Sequence, residues 1–335
     1  MIPPTDHPSI PAPKVGVLLT NLGTPDAPDA GAVRRYLAQF LSDPRVIEIP
    51  KLAWLPILHG IILRTRPKKS AHAYAQVWTE QGSPLAAITA RQAKALQARL
   101  GDGVMVDYAM RYGNPGISRA IDRMFAGGAT RILVAPLYPQ YCAATTASAL
   151  DATFAAIAAK RWQPALRTLP PYHDDPHYIG ALKADLERQL AALDFTPQRL
   201  LLSFHGMPQR TLALGDPYHC HCQKTARLLG EQMALPVDVA FQSRFGRAKW
   251  LGPATDVTLG SYPGQGVTKI AIAAPGFSAD CLETIEELGI RGRAQFLAAG
   301  GTHFARMDCL NDGEAGMTML DALIRRELGG WWGQA

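Results

Sequence analysis

Six short apolar stretches punctuate the chain, at 15–21, 104–111, 131–138, 200–204, 237–242 and 269–274. None shows strict apolar–polar alternation, and each runs out near Gly, Pro or Asn. Runs of this kind suit strands buried on both faces of a parallel sheet. Between them, 83–100, 148–160, 178–193 and 223–233 carry helical spacing and helix-forming residues. Strand alternating with helix predicts an α/β protein with doubly wound parallel sheets.

The same pattern carries a faint internal repeat. Leu-Leu-Thr-Asn-Leu-Gly at 18–23 parallels Leu-Leu-Ser-Phe-His-Gly at 201–206, and Arg111-Tyr112-Gly113 parallels Arg244-Phe245-Gly246. Ala135-Pro136 with Cys142 and Thr145 parallels Ala274-Pro275 with Cys281 and Thr284. Shared order predicts two similar Rossmann-like domains with a cleft between them, divided where Pro170, Pro171 and Pro176 interrupt regular structure. The expected division is 14–177 with a long insertion at 39–84, then 178–312, then a C-terminal helix at 313–330. His205 falls opposite Leu22, and Glu283 opposite Ala144, so the second half holds ionisable groups where the first is apolar. Both residues follow expected strands, at the edge where open α/β sheets bind ligands.

Composition refines this only in part. The 335 residues are 47% hydrophobic and 19% charged, enough apolar material for two cores. A net charge of +6 fits a nucleic acid, an anionic membrane surface or an acidic small molecule as partner. Five scattered cysteines make no disulfide framework and point to a reducing compartment, the cytoplasm. The Pro-rich N-terminus lacks the apolar core of a secretory signal. The most apolar stretch, 46–63, is broken by Glu48, Pro50, Lys51, Pro56 and His59, too often for a membrane span. It suits peripheral contact with a bilayer or the wall of an apolar pocket.

Four groups of residues carry candidate chemistry. His205 stands where a strand ends, and a neutral imidazole can ligate a metal or accept a proton. Glu283 and Glu287, four apart on one helical face, can relay protons. The competing reading makes Asp280 an N-cap and Glu283 its capping-box partner. The His219-Cys220-His221-Cys222 run lacks the spacing of a metal site. Arg64, Arg66, Lys68 and Lys69 follow the apolar stretch and suit an amphiphile with carboxylate tails. No P-loop or nucleophile elbow is present.

At this point the chain resembles the ferrochelatase family, from about Lys14 to about Leu328. The likeness rests on VGVLLTNLGTP, FLSDPRVIEIP, EQGSPL, AMRYGNP, APLYPQYCAATT, LLSFHGMPQR, GDPYHCHCQKTA, FQSRFGRAKWLGPATD and APGFSADCLETIEELGI, in family order. It implies insertion of Fe²⁺ into protoporphyrin IX, with porphyrin and ferrous iron as partners and no role for nucleic acid. Coproporphyrin or another tetrapyrrole is the alternative substrate, and a porphyrin or haem carrier the non-enzymatic alternative.

The family histidine falls on His205, the partner acid on Glu283 and a further acid on Glu287. His205 and Glu283 are then the groups that meet the metal. Asn21, Leu22, Tyr138 and Trp250 match positions lining or flanking the pocket, and Arg111 lies near the porphyrin, with Arg64 or Arg66 as further partners for its carboxylates. The family's helix at Glu283 often contains a wide π-type turn. Some relatives carry histidine where this chain has Cys281, so a two-histidine scheme does not transfer. Without the Cys-rich extension of animal relatives, no resident cofactor, no iron–sulfur cluster and a monomer are expected.

Overall fold

The computed structural model describes Asp6, residues 12–246 and residues 248–332. Most of the N-terminal segment read above for a secretory signal lies outside the described residues.

The first half runs β1 (Lys14–Thr24), α1 (Ala30–Leu41), α2 (Lys51–Ile57), a π-helical turn π1 (Leu58–Ile62), α3 (Leu63–Val77) and α4 (Pro84–Leu100). It continues with β2 (Val104–Gly113), α5 (Ile117–Ala126), β3 (Ala129–Pro136), π2 (Ala143–Ala147), α6 (Ser148–Ala158), β4 (Ala165–Thr168) and α7 (Pro176–Ala191). The second half runs β5 (Arg199–His205), α8 (Gln209–Ala213), α9 (Tyr218–Gly230), β6 (Val237–Gln242), α10 (Thr255–Ser261) and β7 (Lys269–Ala273). It closes with π3 (Glu283–Gly292), α11 (Arg293–Ala298), β8 (His303–Arg306) and α12 (Glu314–Glu327).

Each half builds one parallel four-stranded sheet, in the orders β2-β1-β3-β4 and β6-β5-β7-β8. The repeat read from the sequence is therefore a repeat of topology, and a π-helical segment follows the third strand in both halves. The central strands are buried almost end to end, as runs without alternation require. The edge strands β4 and β8 escape the hydrophobic pattern. Each has four residues and is largely half-buried, so neither leaves an apolar run.

The halves share a core. Leu19 of β1, Leu96 of α4, Leu186 of α7, Leu202 of β5 and Leu323 of α12 belong to one continuous cluster. The helix closing each half packs across onto the other half: α7 meets α9, α12 meets α4, and α7 and α12 meet each other. Asp175 ties this exchange together. Its carboxylate caps α7 by accepting from the His177 N–H at 2.9 Å and also takes Arg326 of α12 at 2.6 Å.

The insertion folds as helices laid beside the second half. Pro56 withholds its N–H from α2, and π1 follows at once. No helix among the described residues is long and apolar enough to cross a membrane.

Candidate active site

His205 ends β5 in register with Gln242 of β6. The chain then turns sharply at Gly206, whose N–H donates to the Gln242 carbonyl at 2.7 Å. A Cβ at Gly206 would lie 2.4 Å from that carbonyl oxygen, so only glycine permits the approach. The His205 Nδ1 lies 2.7 Å from the Gly206 carbonyl, which can only accept. Nδ1 therefore donates, which selects the tautomer whose Nε2 keeps its lone pair; the ring is half-buried. Tyr218 donates to the His205 carbonyl at 2.9 Å, fixing the strand end from α9.

Gln242 also links His205 to the acidic helix. Its side-chain amide donates to the Glu283 carbonyl at 3.0 Å and accepts from Ser203 at 2.8 Å. Next in sequence, Ser243 gives its N–H and hydroxyl to the two carboxylate oxygens of Glu287, at 2.8 and 2.6 Å. Glu286 turns to Arg291 and is buried. Arg291 also lies 3.9 Å from Glu287, so Glu286 and Glu287 share this cation while Ser243 bonds Glu287 alone. A 430 Å³ cleft opens beside π3, lined by Gln242, Ser243, Trp250, Glu287 and Arg291. His205 and Glu283 lie outside that lining.

The capping-box reading fails. Asp280 is buried and accepts from Thr284 at 2.7 Å, Arg306 at 2.7 Å and Asn311 at 2.7 Å. The Asp280 N–H, which a capping-box Glu283 would take, goes instead to the Asn311 side chain at 2.8 Å, so Glu283 is not occupied as a cap. The helix here is also wider than expected from α-helical spacing, since π3 begins at Glu283 itself.

Groups from the first half face Glu283. Burial pushes the Tyr74 hydroxyl well above its ordinary range, and the Glu283 carboxylate and Cys281 push it further. Tyr36 is raised by burial, then by Tyr74 and Glu283. The Cys281 thiol is raised by burial and then by Glu283. All three stay protonated, as potential donors around the acid. Leu282, just before π3, packs on the cluster of Val33, Ala71 and Tyr74, where α3 meets π3.

The remaining sequence-derived residues distribute along the first half and the opposite loop. Asn21 is buried, donates to Thr89 at 3.1 Å and accepts from the Leu22 N–H at 2.9 Å; Leu22 is half-buried. The Tyr138 hydroxyl is buried with no protein partner. Trp250 donates to the Phe245 carbonyl at 3.0 Å and packs on the Phe245 ring. Arg66 reaches over that same ring, 5.3 Å from its centroid, and Glu48 meets Arg210 at 3.2 Å, so the insertion touches the second half here as well. Arg64 is exposed, as are Arg66, Lys68 and Lys69.

Arg111 has a partner the sequence reading missed. Its guanidinium donates to Asp43 at 2.5 Å and to the Ser148 hydroxyl at 2.6 Å. Asp43 also accepts from Tyr112 at 2.8 Å. Burial alone would push the Asp43 carboxyl up, but bonds from Ser148, the Arg45 N–H and Tyr112 hold it below the ordinary carboxylate range. Arg111 is thus a neutralised wall group. All five cysteines are free thiols: Cys220 is exposed, while Cys142, Cys222, Cys281 and Cys309 are buried. In the His-Cys run, α9 sends His219 against Phe241 and His221 against His173.

The model of the ferrochelatase family matches residues 14–328. The chain belongs to the ferrochelatase family. It is 54% identical over 326 residues to the ferrochelatase of Methylibium petroleiphilum, covering 96% of this chain and 90% of that one. With the ferrochelatase of Rhizobium meliloti it shares 51% identity over 334 residues, covering 98% of each. Among solved structures it resembles SirB from Bacillus subtilis with Fe³⁺, with a TM-score of 0.58 at 13% identity, covering 96% of this chain and 98% of that one. CbiX, the terminal enzyme of sirohaem biosynthesis in denitrifying bacteria, gives 0.51 at 15% identity, covering 94% and 100%. At such identities the likeness shows a shared chelatase fold. The ferrochelatase family inserts iron into a porphyrin in haem biosynthesis, which makes this chain a metal chelatase of the lyase class, with porphyrin and iron as substrates.

Proposed function

We propose that this chain inserts Fe²⁺ into protoporphyrin IX, with His205 and Glu283 as the catalytic pair and Glu287 behind them. The observation that carries the reading is the fixed tautomer of His205: Nδ1–H is committed to Gly206, which leaves Nε2 free to take a pyrrole proton or meet the metal. Insertion exchanges two pyrrole N–H protons for one Fe²⁺. A planar ring hides its nitrogen lone pairs, so binding on the apolar faces must favour a buckled ring. Glu283 takes the opposing role, relaying protons or guiding iron, and Glu287 connects it to the polar cleft beside π3.

Asn21, Leu22, Tyr138 and Trp250 line the porphyrin site in this reading, and Arg111 braces its wall. Because Asp43 already neutralises Arg111, the exposed cations Arg64 and Arg66 are the better partners for the substrate's carboxylates. The enzyme works as a cytoplasmic monomer, without a resident cofactor, that docks peripherally on a membrane. Exposed Leu52, Leu55, Ile57 and Ile61 beside the cluster of cations support that contact.

The test is turnover followed by absorbance with protoporphyrin IX and Fe²⁺, run beside coproporphyrin and beside Co²⁺. His205→Ala is expected to abolish metallation while porphyrin still binds. Near-normal turnover by that variant would remove His205 from the chemistry. Stoichiometric binding without turnover by the parent would favour a carrier, and preference for coproporphyrin would reassign the substrate.

A further inference from the structure

Ser243 holds φ at 64°, one of two non-glycine residues with positive φ among those described, the other being Asn311. Asparagine tolerates this region through its short amide side chain; serine does so far less readily, and such strain persists only where the surroundings enforce it. At Ser243 the enforcing contact is Glu287. With this backbone, the N–H and the hydroxyl of one residue reach both oxygens of the carboxylate. The residue before it, Gln242, is buried and reaches back to the Glu283 carbonyl from the same strand end. Two consecutive residues therefore hold two of the three acids of π3, Glu283 at its main-chain carbonyl and Glu287 at its carboxylate. The grip on Glu287 satisfies four conditions for control of orientation: two bonds, a planar acceptor, short distances and a rigid strand at the base.

We propose that Gln242 and Ser243 are positioning residues for metal insertion, with Ser243 accepting backbone strain in order to hold the Glu287 carboxylate in line behind Glu283. Neither touches the reacting atoms; they act through the acids. The assignment rests on the reading of Glu283 and Glu287 as a relay. It gives a reason for the sequence Phe241-Gln242-Ser243, in which a strand ends on an amide and a strained hydroxyl side by side. Gln242 has a second duty in this scheme. Its backbone carbonyl receives the Gly206 N–H, so the same residue that steadies the helix bearing the acids also steadies the turn bearing His205.

Glycine separates strain from function here. Ser243→Gly relaxes the left-handed backbone and keeps the N–H bond but removes the hydroxyl. Its melting temperature is expected to be no lower than that of the parent. Its kcat is expected to fall on the order of ten- to a hundredfold, as for lost orienting partners elsewhere, with KM for porphyrin unchanged. Gln242→Met should likewise lower kcat more than it raises KM, since the Ser203 hydroxyl keeps Thr255 at 2.7 Å as a partner.

The deciding measurement places Ser243→Gly in both the parent and the Glu287→Gln background and records kcat, KM and melting temperature. The proposal expects no further loss of kcat from Ser243→Gly once Glu287 is gone. It is overturned if Ser243→Gly keeps the parent kcat, if kcat falls only in step with melting temperature, or if the two losses multiply in the double variant. Parent turnover by Glu287→Gln alone is a different failure: it overturns the relay reading itself, and this assignment with it.

Discussion

At the scale of the residue, the site is organised by groups whose hydrogen-bonding capacity is already committed. His205 has its tautomer set by a carbonyl that can only accept, and Glu287 is held at both oxygens. Asp43 does the same for the first half, with Arg111, Tyr112 and Ser148 converging on a single carboxylate oxygen. Its side chain is only 4% exposed, whereas that of Arg111 is 23% exposed. Removing the acid strands a cation and two hydroxyls. Asp43→Ala is therefore expected to cost on the order of 3 kcal/mol, read from denaturant melts. A loss well below 1 kcal/mol would mean that water replaces the carboxylate with ease. Sequence reading placed Asp43 only inside a family segment, because the carboxylate and its guanidinium are 68 residues apart.

At the scale of the element, the π-helical segments do what ordinary helices would not. π2 and π3 follow the third strand of each half, yet only π3 carries acids: opposite Glu283 and Glu286, π2 has Ala144 and Ala147. Helical spacing alone put Glu283 and Glu287 on one face. The observed helix instead hands Glu286 to Arg291 and Glu287 to Ser243. The helices of the insertion raise a separate expectation. Leu52 is 94% exposed and Ile61 58% exposed, beside Arg64 and Arg66. Inserting a leucine-sized side chain into a lipid boundary contributes about 1.5 kcal/mol or more, roughly tenfold in affinity. Leu52→Glu with Ile61→Glu should thus weaken binding to anionic vesicles by at least about tenfold. Equal sedimentation of parent and variant with vesicles would remove the membrane-docking reading.

At the scale of the whole molecule, the two halves are joined by exchanged helices and by a titratable junction. His173 precedes α7 and stacks on His221 of α9, ring centroids 3.5 Å apart. The His221 Nδ1 accepts the Tyr141 N–H at 3.2 Å, which requires that nitrogen to be unprotonated. Burial first, and His221 next, push His173 down from 6.5 to about 4, while Asp174 opposes and Lys224 adds to the shift. Burial lowers His221 as well, against Asp174 and Asp216. Both folded-state values lie below the unfolded one, so below about pH 6.5 the unfolded chain binds protons that the folded chain refuses. Stability is unaffected by this pair above that pH, and falls as the pH drops from about 6.5 toward about 4. His173→Phe keeps a ring for stacking and removes one titration. Its melting temperature should decline less than the parent's between pH 7 and pH 5, and parallel declines would show that the junction is not the sensor.

Chain order alone was enough for the parallel α/β architecture, the duplication, His205 at a strand end and Glu283 on the helix after a strand. Those features follow from local order: apolar runs without alternation, the same residues recurring in the same sequence, and glycine or proline where strands stop. It could not reach the edge strands β4 and β8, which bury too little to leave a pattern. Nor could it decide what each carboxylate does. Asp280 reads locally as a helix cap but is drawn to Arg306 and Asn311, 26 and 31 residues away. Only the tertiary structure brought Ser243 to Glu287 and Asp43 to Arg111, because a charged group's surroundings depend on which distant partner is within hydrogen-bonding range, and chain order carries no record of that distance.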